Sequence, residues 1–349
     1  MTPLLIAQIV LTLIVFQALL LSAAAMVWVE RRLAALLQQR LGPTRVGWQG
    51  LLQPFADVIK LMFKEELRPK AADAFLFALA PIISATCAFA AFAVVPFGPR
   101  TTLFGLLPKG LALQVADVPV AVLVIFAIAS MSVYGIVLAG WSSNSKYSLL
   151  GGLRSSAQMI SYELSYGMAL ASVLLVATSA AAATPAESMS VTEIVNGQAG
   201  AWAHVLPRWF VFIQPIGFLI FMTAGIAETN RAPFDFPEAE QELVAGYHTE
   251  YSSMSFAMFF LAEYVNMVTV SAVATDLFLG GWHGPFLPAS LGWIWFLLKV
   301  GALLFFYVWM RWTLPRYRYD QLMRFGWKVL LPVSVINLLV TAAGVLYFG

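Results

Sequence analysis

With 349 residues, 60% of them hydrophobic and 11% charged, and a mean hydropathy of +0.81, the chain lies far from soluble domains, which carry about 25% charged residues. A single cysteine (Cys87) and three scattered histidines (His204, His248, His283) exclude a disulfide framework, a thiolate-held metal or iron–sulfur cluster, and histidine-held haem. The net charge of +2 decides nothing, because in a membrane protein the distribution of charge matters more than its sum.

Eight apolar runs predict an all-α, polytopic membrane protein built as a single transmembrane helical domain over 1–349. They cover 4–30, 74–96, 118–139, 157–183, 209–227, 256–279, 291–309 and 329–348, each near the 20 or so residues a bilayer demands. Only helices cross as separate segments, since every backbone polar group must be satisfied internally. The first run lacks a basic leader, is too long for a signal core and ends in "ERR", so it is expected to be a retained helix.

The loop that follows contains "LLQPFADVIKLMFKEE". Leu51, Leu52, Phe55, Val58, Ile59, Met62 and Phe63 fall on one helical face, with Asp57, Lys60 and Lys64 turned away. A segment this short, with charges through its middle, is expected to be an amphipathic helix in the interface rather than a span. Further along, 184–206 is small and polar and reads as a plain connection. No internal repeat is evident, which weighs against an inverted-repeat transporter.

Lysine and arginine set the orientation. Sixteen fall on one side: eight between Arg31 and Lys70, then Lys146 and Arg154, then Arg231, then five between Arg311 and Lys328. The other side holds Arg100, Lys109 and Arg208, and Lys299 lies within a span. The positive-inside rule makes the loops at about 31–73, 140–156, 228–255 and 310–328 cytoplasmic and places both termini outside.

Two features bear on chemistry. "ETNRAPFDFPEAEQE", from Glu228 to Glu242, holds five carboxylates in fifteen residues around a single Arg231. Asp235 followed by Glu238 matches a capping box with Pro237 in the first turn, so the bland reading is an acidic helix start on a solvated loop. Glu163 and Glu263, by contrast, sit well inside predicted spans, where an ionisable residue costs about 2.5–3.5 kcal/mol to insert and marks a functional path. Their bland reading is a structural carboxylate, paired for instance with Lys299. Clustered carboxyls in a low dielectric favour holding protons, and a row of them passes protons between the cytoplasmic loop and the bundle.

In the first loop, Gly- and Pro-bearing turns lead into the aromatic, amphipathic segment. That suits a mouth for a ligand with a polar head and a greasy tail, although Arg31 and Asp57 read first as an ion pair. No GxGxxG or P-loop occurs, so neither a dinucleotide nor an ATP site of the usual kind is expected.

"AETNRAPFDFPEAEQELVAGYHTEYSSM", "GPTRVGWQGLLQPFADVIKLMFKE", "GWSSNSKYSLLGGLRSSAQMISYE" and "LPRYRYDQLMRFGWK" together resemble the family of H subunits of the proton-pumping NADH:quinone oxidoreductase, respiratory complex I, over nearly the whole chain. The resemblance implies a component of the bacterial inner membrane that docks the peripheral arm and forms much of a quinone access chamber. It carries no redox cofactor itself. Quinone, ubiquinone in the first instance, is the substrate and is reduced near a partner's terminal iron–sulfur cluster.

The resemblance also implies a proton-coupling row at Glu163, Glu228, Glu238, Glu240, Glu242, Glu250 and Glu263. It implies quinone contacts at Arg31, Asp57, Phe234 and Arg311. Its implied partners are peripheral-arm subunits, small membrane subunits, antiporter-like subunits and lipid, with no nucleic acid. The equivalent subunit of an energy-converting hydrogenase and a free-standing ion transporter remain as alternatives, as does a purely structural anchor.

Overall fold

A computed structural model describes residues 3–101, 110–202, 206–235, 246–285, 288 and 291–348. Helix α1 spans Pro3–Leu37, α2 Gln53–Phe63, α3 Ala74–Phe92, α4 Ala121–Ser142, α5 Lys146–Ala177 and α6 Val191–Gly197. They are followed by α7 (Phe210–Ile213), α8 (Pro215–Glu228), α9 (Ser253–Phe278), α10 (Gly292–Thr313), α11 (Tyr319–Phe325) and α12 (Leu331–Phe348). A π turn, Gly326–Leu330, joins the last two into one 29-residue helix, Tyr319–Tyr347. Two small antiparallel hairpins complete the described structure: β1 (Gly98–Thr101) with β2 (Leu111–Leu113), and β3 (Ala201–Trp202) with β4 (Leu206–Pro207).

Seven helices among the described residues are long and apolar enough to cross a bilayer. The remaining predicted span, 209–227, is divided. Its helix stops at Gln214, which leaves helical geometry, and restarts with Pro215 at the first position of α8. Proline fits there because it has no N–H to leave unpaired. The orphaned turn is held by side chains: Gln214 Nε2 donates to Thr341 Oγ1 at 2.5 Å, and Asn337 Nδ2 donates to Gln214 Oε1 at 3.1 Å.

Helix α9 is the axis of the bundle, with an unbroken run of buried side chains from Met267 to Phe278. Helix α3 packs on it, α4 on α3 and α5 on α4, the latter helices approaching closely through small residues, as helices in membranes do. A Cβ on Gly140 of α4 would lie 2.7 Å from the Ser148 carbonyl oxygen, and one on Gly151 of α5 would lie 2.7 Å from backbone atoms of Gly246 and Tyr247. That explains why α5 begins at Lys146 and not near residue 157. Its first turns carry Ser148, Gly151, Gly152, Ser155 and Ser156, which read as loop by hydropathy yet are buried against neighbouring backbone.

The segment 184–206 is more than a connection. Within it α6 buries Val191, Ile194 and Val195, the i, i+3, i+4 positions of a short amphipathic helix. At the opposite end of the bundle, α1 runs seven residues beyond its predicted limit, so Glu30, Arg31 and Arg32 are helical. The chain then folds back on α1: Trp28 Nε1 donates to the Gln49 carbonyl at 3.1 Å, and Arg32 reaches the Pro43 carbonyl at 3.3 Å. Gly50 closes this turn at φ +75, where a Cβ would overlap the Pro43 carbonyl.

Candidate functional site

Where α1, α9, α10 and the turn after α8 meet, four charged side chains form one network. Glu30, 6% exposed, accepts from Arg231 Nη1 at 3.2 and 3.3 Å through its two oxygens. It also accepts from Arg311 of α10, and from the Tyr264 hydroxyl at 2.6 Å. Arg231, likewise 6% exposed, turns its Nε to Glu263 Oε1 at 2.6 Å and lays its guanidinium over the Tyr264 ring, 4.3 Å from the centroid.

Two carboxylates and two guanidiniums cancel, which is how a low-dielectric site tolerates four charges. Burial works against the charged form of Arg231. The adjacent Glu263 and Glu30 more than reverse that, so it stays protonated well above the usual arginine range.

The turn that delivers Arg231 is pinned from behind. Gln158 of α5, fully buried, donates to the carbonyls at both of its ends, Ala227 at 2.8 Å and Phe234 at 2.9 Å. Phe234, 4% exposed, lies between the rings of Tyr162 and Tyr317, at centroid distances of 5.7 and 5.9 Å. Arg316 donates to the Asp235 carbonyl and closes the turn from the α10–α11 loop.

Beside this network, Glu228 ends α8 with its Oε2 buried and without a hydrogen-bond partner among the described residues. Two small cavities flank it, of about 30 and 40 Å3, and both are lined by Ser132, Thr229 and Asn266 as well as Glu228. The second also reaches Glu263. A cavity needs only about 10–15 Å3 of this measure to hold a water molecule, so each has room for two or so. Water held in them would give the buried Glu228 oxygen the partner that the described protein groups do not supply. Glu163 of α5 accepts from the Ser130 hydroxyl and is near enough to Glu228 for their charges to interact.

The acids singled out from sequence therefore divide. Glu228 lines both water-sized cavities and Glu263 the second, while Glu163 lines neither but is near enough to Glu228 for their charges to interact. Glu250 is half-buried in the turn before α9 and lines neither cavity. Glu238, Glu240 and Glu242, and the helix start expected after Asp235, lie outside the described residues.

Lys299 does not pair with Glu163 or Glu263. Its ammonium spends three donors on the carbonyls of Leu279, Gly281 and His283, at 2.6 to 2.8 Å, near the other end of α9.

The four residues assigned to quinone also divide. Arg31 and Asp57 form an ion pair at 2.5 Å on the outside of α1 and α2. Burial tends to raise the Asp57 pKa, but the Arg31 hydrogen bond and charge outweigh it and hold the carboxyl below its ordinary range. Arg311 instead faces the interior and shares Glu30 with Arg231. Adjacent residues of α1 thus serve two faces, Glu30 inward and Arg31 outward. The apolar side of α2 stays open, with Phe55, Val58, Ile59 and Met62 each about half exposed.

The sequence as a whole matches a known set of proteins. The profile of the family described as NADH dehydrogenase matches residues 9–342. The H subunit numbered 2 of the NADH-quinone oxidoreductase of Geobacter metallireducens is 55% identical over 345 residues, covering 96% of this chain and 94% of the relative. The H subunit numbered 1 of Geobacter sulfurreducens is 54% identical with the same coverage, and the NADH-quinone oxidoreductase subunit numbered 8 of Rhodothermus marinus is 50% identical over 96% of both chains.

The chain belongs to the family of NADH-quinone oxidoreductase H subunits.

For a member of this family, sequence reasoning missed the residue at the centre of the network. Glu30 falls at the end of a predicted span and beside two arginines, so it reads as a solvated flank. Gln158 and Tyr264 were missed because neutral polar residues in a span carry no charge signal. Their only trace is a polar side chain at helical depth.

Proposed function

We propose that this chain is the membrane subunit of a proton-translocating NADH:quinone oxidoreductase of the bacterial inner membrane. In this reading it lines the quinone access chamber where the peripheral arm docks, and it couples quinone reduction to proton movement. The 16-to-3 charge split supports a cytoplasmic Glu30–Arg231 end of the bundle with both termini outside. α7 and α8 complete an eighth crossing, and α2 lies in the interface with its open apolar face toward the tail of ubiquinone.

The observation that carries the reading is the charge-balanced network of Glu30, Arg231, Glu263 and Arg311, built against Glu228 and its two cavities. Electrons reach the quinone from a partner's iron–sulfur cluster, and the reduced headgroup takes up protons. A charge change near Arg31, Asp57, Phe234 and Arg311 alters how strongly Arg311 holds Glu30. Glu30 and Glu263 compete for Arg231, so the change is passed on to Glu263 and to the water around Glu228. Glu163 carries the row onward, toward small membrane subunits and antiporter-like partners. Glu238, Glu240, Glu242 and Glu250 begin it in the cytoplasmic loop.

The test is a Glu163→Gln, Glu263→Gln double variant in the assembled complex. A glutamine keeps the shape and accepts the Ser130 hydrogen bond but exchanges no proton. Quinone-dependent turnover and proton pumping are expected to fall together, by about tenfold or more, while Glu→Asp at each position does less harm. Normal pumping by a fully assembled double variant excludes an essential protonatable role. Glu163→Gln alone is the cleaner arm, because Glu263 also holds Arg231.

A further inference from the structure

At the end of the bundle away from the ionic network, two cavities of opposite character share a wall. One is an apolar crevice of about 420 Å3 between α1, α9 and α10, lined by Ile14, Ala18, Phe97, Val268, Trp293 and Phe296 among others. The other, of about 150 Å3, is a polar cup lined by Arg100, Gln114, Asp117, Thr192 and Asn196. Leu113 lines both. Gly98 lines the cup and rests against the crevice: a Cβ there would lie 2.7 Å from Leu113 Cδ1 and 3.4 Å from the Trp293 Cβ. A side chain at 98 would therefore crowd the junction.

Among the described residues that line it, the cup is charged but neutral in sum. Arg100 Nη2 stands 4.0 Å from Asp117 Oδ2, too far for a tight pair, and both side chains reach solvent. Gln114, only 3% exposed, accepts from the Thr192 hydroxyl at 2.8 Å through Oε1, while its Nε2 is buried with no partner among the described residues. Gln8 of α1 fixes the strand behind it by donating to the carbonyls of Gln114 and Val115. The cup thus offers a guanidinium, a bare amide donor and a carboxylate beside a slot for hydrocarbon.

We propose that cup and crevice are one binding site for a phospholipid of the outer leaflet with a zwitterionic, amine-bearing headgroup, phosphatidylethanolamine. The phosphate binds Arg100 and the Gln114 amide, the ammonium binds Asp117, and one acyl chain lies in the crevice. A phosphate is the natural partner of a guanidinium, and an apolar slot inside a membrane is best filled by a lipid tail. Asp117 selects the headgroup. An anionic phosphatidylglycerol leaves that carboxylate facing a phosphate without a cation, and a choline gives it no hydrogen bond.

The experiment measures lipid retained by the purified complex, by native mass spectrometry and lipid extraction, after exchange into nanodiscs of phosphatidylethanolamine and phosphatidylglycerol. Wild type is expected to hold one more equivalent of phosphatidylethanolamine than Arg100→Gln or Ala18→Phe. Asp117→Asn keeps a lipid but shifts its preference toward phosphatidylglycerol by roughly threefold, as befits a partly exposed ion pair. Retention that is the same in wild type, Arg100→Gln and Ala18→Phe overturns the proposal, as does an Asp117→Asn complex with unchanged preference. Displacement by excess inorganic phosphate with no effect of Ala18→Phe identifies a plain anion site and also overturns it. Should Ala18→Phe fail to assemble, the surface variants Arg100→Gln and Asp117→Asn decide alone.

Discussion

Replacing Arg231 with methionine tests whether the buried network holds the turn after α8. Methionine is long, flexible and apolar, and its sulfur packs well on an aromatic ring, so contact with Tyr264 is largely kept while the charge is lost. Glu30 retains Arg311 and the Tyr264 hydroxyl. Glu263 loses the guanidinium 2.6 Å away.

Removing one partner of a buried pair costs about 3–5 kcal/mol. The Glu263 side chain is 17% exposed and borders a cavity with room for water, so the lower end applies. A loss of about 3 kcal/mol raises the population of the opened turn by roughly a hundredfold.

Hydrogen exchange of the assembled complex reads this directly. The Thr229, Arg231 and Phe234 amides are bonded within the turn, to the carbonyls of Gly225, Ile226 and Arg231, and exchange only when it opens. Peptides covering 226–235 should exchange about a hundredfold faster in Arg231→Met. Adding Glu263→Gln restores charge balance and should recover more than half of the protection in free-energy terms. Exchange within about threefold of wild type, a difference of about 0.7 kcal/mol, would refute the reasoning. So would a double variant no better protected than the single one.

Three other outcomes follow from the same structure. Burial, and then the charge of Lys299, push His283 down to about 4 from 6.5. The unfolded chain therefore takes up that proton first as pH falls: the contribution is full above about pH 6.5 and is lost progressively toward pH 4. It is worth about 2 kcal/mol after allowing for partial exposure, and His283→Gln should flatten the acid limb of a thermal-stability profile by that amount. Gly151→Ala should cost about 1–3 kcal/mol, because its Cβ meets backbone at Gly246 and Tyr247 and nothing there can rotate away. Gly301→Ala, with open space around it, serves as the control in the same thermal-inactivation assay. Single cysteines placed at 31–70 or 228–251 should resist an impermeant thiol reagent applied to intact cells, and labelling from outside would overturn the proposed topology.

The spans were legible because hydropathy averages over many residues and a bilayer demands length. The same averaging hid their irregularities. It ran over the Gln214–Pro215 break, although a proline inside an apolar run was in plain view, and it cut α5 short because small polar residues look like loop until a neighbouring backbone covers them. Among residues of the proposed site, Glu163 and Glu263 stand out in the sequence by their depth in the spans. Glu30 does not, because its meaning depends on Arg231, 201 positions away, and on Arg311, 281 away. No local pattern encodes a pairing at that separation.

This gap changes how the proposed site works. From sequence, Arg311 belonged to a quinone chamber and Glu263 to a proton row, two sets with no stated link. Glu30 supplies the link: it binds Arg311 and Arg231 with one carboxylate, while Arg231 binds Glu263 with its remaining edge. In a buried setting, screening by water is weak and interactions between neighbouring charges persist. A charge that appears beside Arg311 is then felt at Glu263 through two intervening charged groups, with no helix having to move. In the proposed function, quinone chemistry and proton placement therefore act on a single electrostatic object, and Glu30 is its hinge.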